Sequence, residues 1–384
     1  MRKQTVLGIL AAVLAAAVLG SSLAGCGGKP TIKIGLNAEL TGSVPVVGQS
    51  CKNAAEMMVA EINAAGGLDV GGTKYQVQLL VEDNEDKAES AAAVAQKLIN
   101  QNKVVAMIGP NASRNAIPAA AVAESSKVPM ISPWSTNAKL TQGKKYVFRA
   151  CFIDDFQGVV CAKFSLASLG AKTAAVLYDV ASEYNKGIAE VYKKSFEDGG
   201  GTVVAFETYT TGDKDFSAQL TKINALNPDI LFLPNYYSEV PLQVQQAQRL
   251  GYKGKFLGSD SWGSAEIVKL GGVAMEGHYF STHYAPDIAT PEAQKFISAY
   301  KLKYNSVPDD VAALTYDAVA LLCQALQTAG KIDREAVREA LAGVKEFKGV
   351  TGQMQFKGTG DPEKSAVILR IEGGQFKYFE TAKP

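Results

Sequence analysis

Histidine is scarce in this chain: among 384 residues the only two are His278 and His283. Two histidines so close together disfavour a histidine-based metal centre and leave little to build a Ser-His-Asp triad from. We expect both to be surface or loop residues. The sequence also lacks a Walker loop, a Cys-x-x-Cys pair and a Gly-x-Ser-x-Gly elbow. The sequence therefore contains no motif that indicates an enzymatic activity, a metal site or a cofactor site.

An excess of one charge is also missing. Lysine and arginine number 39 against 38 aspartates and glutamates, for a formal net charge of +1. Removal of Arg2 and Lys3 with a leader peptide would bring this to about −1. There is no basic field of the kind that nucleic acid requires of a partner.

The N-terminus has the pattern of an export signal. A basic start, Arg2 and Lys3, precedes an apolar stretch over 6–19 that is too short for a comfortable membrane span, which needs roughly 20 residues. The stretch 23–26, Leu-Ala-Gly-Cys, resembles a bacterial lipobox. We expect residues 1–25 to be a lipoprotein signal peptide and Cys26 to carry the lipid that anchors the protein to a membrane. An ordinary signal peptide ending near a cysteine is the alternative.

Export bears on the four remaining cysteines, because compartments outside the cytoplasm permit disulfides. Cys151 and Cys161 lie across a predicted strand-to-helix corner, so a local bridge is one interpretation. Buried free thiols that pack as small hydrophobic groups are the other. The full set is Cys51, Cys151, Cys161 and Cys323.

Strand-like and helix-like segments alternate along the mature chain, whose length of about 360 residues suggests two domains. A first series of βα units runs from residue 32 to about 131, and the same pattern starts again after Arg149. This predicts an α/β protein with two doubly wound, mainly parallel sheets. Ligands of such sheets bind beyond the carboxyl ends of the strands, so the loops there are candidate site segments.

Polar and aromatic residues occupy those loops. Ser113 follows a buried strand and opens a helix, where it could bind an anion or simply cap the helix; capping is favoured from the loop alone. Thr136 follows the next strand, beside Trp134. In the second half, three successive strand ends present Tyr184, Tyr236 and Asp260. An aspartate in a partly closed cleft needs a counter-charge, which an ammonium group would supply.

Several motifs, in order and spacing, resemble the leucine/isoleucine/valine-binding proteins of the type I periplasmic binding fold. These are Leu-Thr-Gly at 40–42 followed by Gly48, Ile-Asn-Ala-Ala-Gly-Gly at 62–67, Glu-Asp at 82–83, Phe-Arg at 148–149, Asp-Phe at 215–216 and Tyr-Asp-Ala-Val at 316–319. The resemblance implies two lobes joined by three hinge strands. The N-terminal lobe would contain residues 26–150 and about 283–357, and the C-terminal lobe 151–282 and about 358–384.

The resemblance also implies ligand roles. Ser113 and Thr136 would hold an α-carboxylate, while the Trp134 carbonyl, Thr136 and Asp260 would meet the ammonium, with Tyr184 and Tyr236 closing the cleft. The side-chain pocket would be lined by Asn111, Ala112 and Val311. Three residues depart from the family pattern: Val47 replaces an aromatic, Trp134 is larger than usual, and Asn111 adds polarity. Trp134 could favour a small side chain or stack on a larger one.

These expectations describe a monomeric clamp that captures a free small neutral or branched-chain α-amino acid and delivers it to the permease and ATPase subunits of an ABC importer. Closure of such a clamp shifts a population toward the liganded state and changes no bond of the ligand. Three alternatives stay open: the same fold binding an amide, urea or aromatic acid, a ligand sensor, and an exported enzyme.

Overall fold

The computed structural model describes residues 29–288 and 290–383. Within them the chain forms two lobes, each with a mainly parallel β-sheet covered by helices, and a small three-stranded sheet. The predicted fold class is confirmed. The predicted signal peptide and the lipidation site Cys26 lie outside the described residues.

The first lobe contains a six-stranded sheet in the order β2-β3-β1-β4-β5-β6. Its strands are β1 (Thr31–Ala38), β2 (Leu68–Val70), β3 (Thr73–Asp83), β4 (Ala106–Ile108), β5 (Met130–Ser132) and β6 (Val147–Arg149). The helices between them are α1 (Pro45–Ala64), α2 (Ala88–Gln96) and α3 (Ser113–Ser125). β4, β5 and β6 are buried at every residue, because helices cover both faces of the sheet.

The second lobe contains a seven-stranded sheet in the order β16-β15-β11-β10-β9-β7-β8. Its strands are β7 (Thr173–Asp179), β8 (Thr202–Tyr209), β9 (Ile230–Leu233), β10 (Lys255–Gly258), β11 (Tyr279–Thr282), β15 (Ala366–Glu372) and β16 (Gln375–Ala382). Its helices are α4 (Asp154–Ala167), α5 (Glu183–Asp198), α6 (Ser217–Leu226), α7 (Val240–Arg249) and α8 (Glu266–Gly271). The last two strands are antiparallel and close one edge.

The chain between β11 and β15 returns to the first lobe. It forms α9 (Pro291–Tyr304), α10 (Asp310–Ala329), α11 (Arg334–Ala342) and the small sheet of β12 (Phe347–Gly349), β13 (Gly352–Phe356) and β14 (Pro362–Glu363). Phe296 and Ala312 share a hydrophobic cluster with Ala54 and Met57 of α1. α10 is long and apolar enough to cross a membrane, yet most of it is buried, as in the core helix of a globular protein.

This path carries the chain between lobes three times, after β6, after β11 and after β14. Arg149, at the end of β6, joins two of the crossings. Its fully buried guanidinium donates to the carbonyls of Ser135 (2.7 Å) and Asn137 (2.9 Å) and to Asp361 Oδ1 (2.6 Å). The division of the chain into lobes by residue range stays a prediction.

The packing decides two points that the sequence left open. His278 and His283, expected to be surface or loop residues, both lie in loops but are buried, and burial lowers the pKa of His278 to about 4. Cys151 and Cys161 are not bridged. All four described cysteines are buried free thiols, and burial raises the pKa of each.

Candidate functional site

The carboxyl ends of the strands of both sheets border a common cleft. Loops after β4 and β5 approach it from the first lobe, and loops after β7, β9 and β10 approach it from the second. β7, β9 and β10 are neighbours in their sheet, which explains why their three following loops meet. The eight predicted site residues, all buried, are Asn111, Ala112, Ser113, Trp134, Thr136, Tyr184, Tyr236 and Asp260.

Aromatic side chains bring the two lobes together. The Tyr236 ring lies 6.1 Å from the Trp134 ring and 5.5 Å from the Tyr184 ring, measured between centroids. The Arg114 guanidinium, from the first lobe, stands 4.9 Å above the Tyr236 ring, in a cation–π arrangement. The lobes are therefore in contact across the cleft through Tyr236, and the predicted closing role of Tyr184 and Tyr236 stays a prediction.

Further contacts between the lobes surround this aromatic group. The Asn137 side-chain amide donates to the backbone carbonyl of Glu183 at 2.8 Å, at the start of α5. Gly187, one turn further along α5, makes this approach possible. A Cβ added there would lie 2.9 Å from Asn137 Nδ2. Lys139 also pairs with Glu183 at 2.5 Å, but both side chains are exposed, so this ion pair adds little stability.

Ser113 does not cap its helix. The N-cap of α3 is Ala112, without a side-chain cap, and the Ser113 hydroxyl lies 2.9 Å from that of Ser135. The expectation of capping from the loop alone is therefore wrong. The hydrogen bond instead joins the loop after β4 to the loop after β5, and it leaves the Ser113 hydroxyl at the cleft.

Glu39, which the sequence analysis missed, organises the loop after β4. Its buried carboxylate accepts from the backbone N–H groups of Asn111 and Ala112, each at 3.1 Å, and from the side-chain amides of Asn111 (2.9 Å) and Asn115 (3.2 Å). These two backbone N–H groups are thus not free to bind an anion. Burial raises the pKa of Glu39. The feature of the sequence that could have identified Glu39 is its position directly after the buried strand β1.

Helix α10 holds the Trp134 side chain in place. Its indole N–H donates to Asp310 Oδ2 at 2.9 Å, and the Thr282 hydroxyl donates to the same oxygen at 3.2 Å. Burial raises the pKa of Asp310 well above its usual range, and the neighbouring Asp309 carboxylate raises it further. The indole ring is therefore fixed in place and presents a flat wall to the cleft.

Asp260 already has partners within the chain. Its Oδ1 accepts from Tyr184 Oη at 2.6 Å and from Gln157 Nε2 at 3.0 Å, and its Oδ2 lies 3.2 Å from His283 Nε2. A carboxylate only accepts, so His283 carries its proton on Nε2. Burial lowers the pKa of His283, which favours this neutral form. Sequence reasoning identified neither Gln157 nor His283 as part of the site.

Some buried polar atoms in the cleft have no hydrogen-bond partner among the residues that the structure describes. They are Asn111 Oδ1, Thr136 Oγ1, both carboxylate oxygens of Asp154, Gln157 Oε1 and His283 Nδ1. Buried polar groups in folded proteins are nearly always paired. Those that border the cleft are available to a polar ligand.

The arrangement defines a class of protein: a two-lobed α/β clamp with a polar, aromatic-walled binding cleft. The periplasmic binding protein family matches residues 31–375, and the chain belongs to it. It is a solute-binding protein and not an enzyme.

Two relatives show the extent of the similarity. The chain is 34% identical, over 86% of its length and 87% of the relative's, to the leucine-, isoleucine-, valine-, threonine- and alanine-binding protein of Pseudomonas aeruginosa. It is also similar to solved structures. A leucine-binding protein from Thermotoga maritima is 36% identical with a TM-score of 0.87, and the match covers 92% of this chain and 99% of that one.

A second solved structure is a branched-chain amino acid transporter substrate-binding protein from Streptococcus pneumoniae in complex with isoleucine. It is 35% identical with a TM-score of 0.86, and the match covers 92% of this chain and all of the other.

Proposed function

We propose that this protein captures a small neutral or branched-chain α-amino acid outside the cytoplasm and delivers it to the permease and ATPase subunits of an ABC importer. The relatives and the solved structures support the ligand class by the amino acids in their names. The observation that carries the proposal is the buried cleft where hydroxyls of one lobe face an acid of the other.

In this proposal the α-carboxylate binds to the Ser113 and Thr136 hydroxyls at the start of α3 and after β5. The positive end of the α3 dipole favours an anion there. The α-ammonium faces the acidic side of the cleft, where Asp260 is the residue implied by the resemblance. The ligand side chain lies against the Trp134 and Tyr236 rings.

The ligand class is tested by isothermal titration calorimetry against the twenty amino acids, with benzoate, acetamide and urea in the same series. We expect aliphatic amino acids to bind, and we expect benzoate, acetamide and urea not to bind. Failure of every amino acid to bind would overturn the proposed function. Binding of benzoate or an amide in their place would support the same clamp with a ligand that lacks an ammonium group.

The variant Thr136→Val tests the role of this residue in binding, because valine has the shape of threonine but lacks its hydroxyl. Hydrogen bonds to charged groups are worth about 1.5–3 kcal/mol, so we expect amino-acid affinity to fall about 10- to 100-fold. Thr202→Val, at an exposed position of β8, is the control and should bind as the wild type does. An unchanged dissociation constant in Thr136→Val would remove Thr136 from the site.

We propose that the protein is held at the membrane as a monomer by a lipid on Cys26. Labelling cells that express the full chain with a radioactive fatty acid should mark the wild type and not Cys26→Ala. The variant should also shift from the membrane fraction to the soluble fraction. Equal labelling of the two proteins would contradict the lipid anchor and would leave the binding function untouched.

A further inference from the structure

The end of the first lobe that lies opposite the cleft is built from the amino ends of its strands. β1, β3, β4, β5 and β6 run parallel, so all five start at this end and finish at the cleft. The end of α10 also returns here, because a Cβ added at Gly71, in the turn after β2, would lie 2.3 Å from the carbonyl oxygen of Gly330. Arg334, which opens α11, donates to the Val104 carbonyl at 2.6 Å, just before β4.

Seven exposed lysines lie on this surface, one or more beside the start of each parallel strand. None of them has a carboxylate partner at ion-pair distance among the residues that the structure describes. We call this surface the basic end, and its seven lysines are Lys29, Lys33, Lys74, Lys103, Lys127, Lys145 and Lys331.

The basic end carries an excess of positive charge that the chain as a whole lacks. Ten basic and five acidic residues occur in its segments, so its formal charge is about +5, whereas the mature chain is near −1. These segments are 29–33, 66–74, 101–105, 124–130, 142–147 and 330–339. The charge of this end is therefore a local feature that overall composition conceals.

The acidic residues of the basic end are engaged within the chain. Glu124 accepts from the backbone N–H groups of Lys145 (3.0 Å) and Tyr146 (2.8 Å). Asp69 accepts from the Gly72 N–H and Asp333 from the Ala336 N–H, each at 3.0 Å. Glu335 and Glu339 both pair with Arg338. The seven lysines are thus left to an external partner.

The corresponding end of the second lobe has no such excess. Basic and acidic residues are equal in number beside the starts of β7, β8, β9, β10 and β11. They are Lys172, Lys253 and Lys255 against Asp198, Asp229 and Glu276. The charge difference between the two ends shows that lysine is not simply frequent wherever a strand begins.

The position of the chain's start suggests which partner the basic end meets. Lys29, the first described residue, lies three residues after Cys26, and three extended residues span at most about 11 Å. The proposed lipid on Cys26 would therefore bring the basic end, and no other surface of the protein, directly against the bilayer. Anionic headgroups attract lysines that lie near a membrane surface.

We infer that the basic end is a membrane-facing surface that binds the anionic headgroups of a phospholipid bilayer through its seven lysines. This rests on the proposed lipid anchor. The eight residues of β1 span about 26 Å, so in this orientation the cleft lies about that much farther from the bilayer than Lys29 and is open to solute. Delivery to a permease then requires release of the lysines from the headgroups.

The test uses the lysines themselves as reporters. The full chain in its lipidated form is placed on mixed vesicles of phosphatidylglycerol and phosphatidylcholine and, separately, on vesicles of phosphatidylcholine alone. A water-soluble acetylating reagent is added briefly, and mass spectrometry gives the rate at which each lysine reacts. We expect the seven lysines to react about threefold to tenfold more slowly on the anionic vesicles, because phosphate groups shield them.

Two controls accompany this measurement. Lys253 and Lys255, exposed at the corresponding end of the second lobe, should react equally fast on both kinds of vesicle. Salt at about 1 M, where the Debye length is about 3 Å, should abolish the protection of the seven lysines.

Charge reversal provides an independent measurement. In the triple variant Lys33→Glu, Lys74→Glu and Lys103→Glu, the four remaining lysines of the basic end should lose their protection on anionic vesicles. The matched control reverses Lys172, Lys253 and Lys255 to glutamate and should keep it. Both variants should bind an amino acid as the wild type does in calorimetry, because both groups of lysines are remote from the cleft.

Several outcomes would overturn the inference while leaving amino-acid binding intact. Equal acetylation of the seven lysines on the two kinds of vesicle is one. Protection by added polyglutamate but by neither vesicle is another, and it would assign the basic end to an acidic polymer. Retention of the chain on neither kind of vesicle would overturn both the lipid anchor and the inference. Retention on anionic vesicles alone would refute the anchor and support the basic end as the membrane contact.

Discussion

Replacing Arg149 with methionine is expected to lower the free energy of unfolding by about 3–5 kcal/mol, because the buried guanidinium both pairs with the partly exposed Asp361 and donates to two backbone carbonyls. Methionine keeps much of the volume but cannot donate. The carbonyls of Ser135 and Asn137 and the Asp361 carboxylate would each lose the hydrogen bond from Arg149, at the point where two crossings meet. Because Thr136 lies between those carbonyls, ligand affinity should also fall in the protein that remains folded.

Urea unfolding measures the first effect and calorimetry below the unfolding transition measures the second. The control is Arg338→Met, whose ion pairs with Glu335 and Glu339 lie at the surface and are worth less than about 1 kcal/mol. Arg149→Lys should rescue the protein only partly, since an ammonium cannot reproduce the planar fork of donors. A stability loss equal to that of the control would show that the Arg149 contacts do not hold the hinge.

Replacing Gly48 with alanine is expected to destabilise the protein by about 1–3 kcal/mol, although alanine normally stabilises a helix interior relative to glycine. Gly48 lies in the first turn of α1, and a Cβ there would be 2.1 Å from the backbone carbonyl oxygen of Glu39. Backbone cannot move aside as a flexible side chain can. Helix α1 would have to shift, and the Glu39 carboxylate that holds Asn111 and Ala112 would shift with it.

Because Gly48 lies against the backbone of Glu39, the substitution should also affect ligand binding. We expect weaker amino-acid binding in Gly48→Ala even where the protein is fully folded, as measured by calorimetry. Gly343→Ala is the matched control, because the nearest atom to its Cβ would be 3.3 Å away, at the end of a helix. Equal stability of the two variants would contradict the close approach of α1 to the end of β1.

The sequence predicted the two βα lobes because hydrophobic periodicity is a local property. Runs such as 230–233 and 104–108 are apolar at nearly every position, as strands covered on both faces must be. The strand-end loops followed from the same reasoning, and for this reason Tyr184, Tyr236 and Asp260 could be grouped before any contact was known. The crossings came from the family resemblance, since periodicity does not reveal which helix returns to which sheet.

The predictions from the sequence were incomplete or wrong where the surroundings of a residue, and not its type, decide its role in the structure. His278 and His283 were expected to be surface or loop residues. Both lie in loops, yet both are buried, and the Phe152 ring stacks against His283 at 3.8 Å between centroids. Ser113 has the type and place of a cap, yet it pairs with Ser135, a residue brought beside it by the neighbouring strand.

By itself the sequence determined the fold class, the export pattern and the loops in which a site could lie, because these depend on composition, periodicity and chain order. Only the tertiary structure decided which groups in those loops are free. Asp154 and Asp260 are both acids near the cleft, but Asp260 is bonded by three side chains from distant parts of the chain, whereas Asp154 has no described partner. Pairing in a buried site depends on distances of about 3 Å between residues far apart in sequence, which no local pattern encodes.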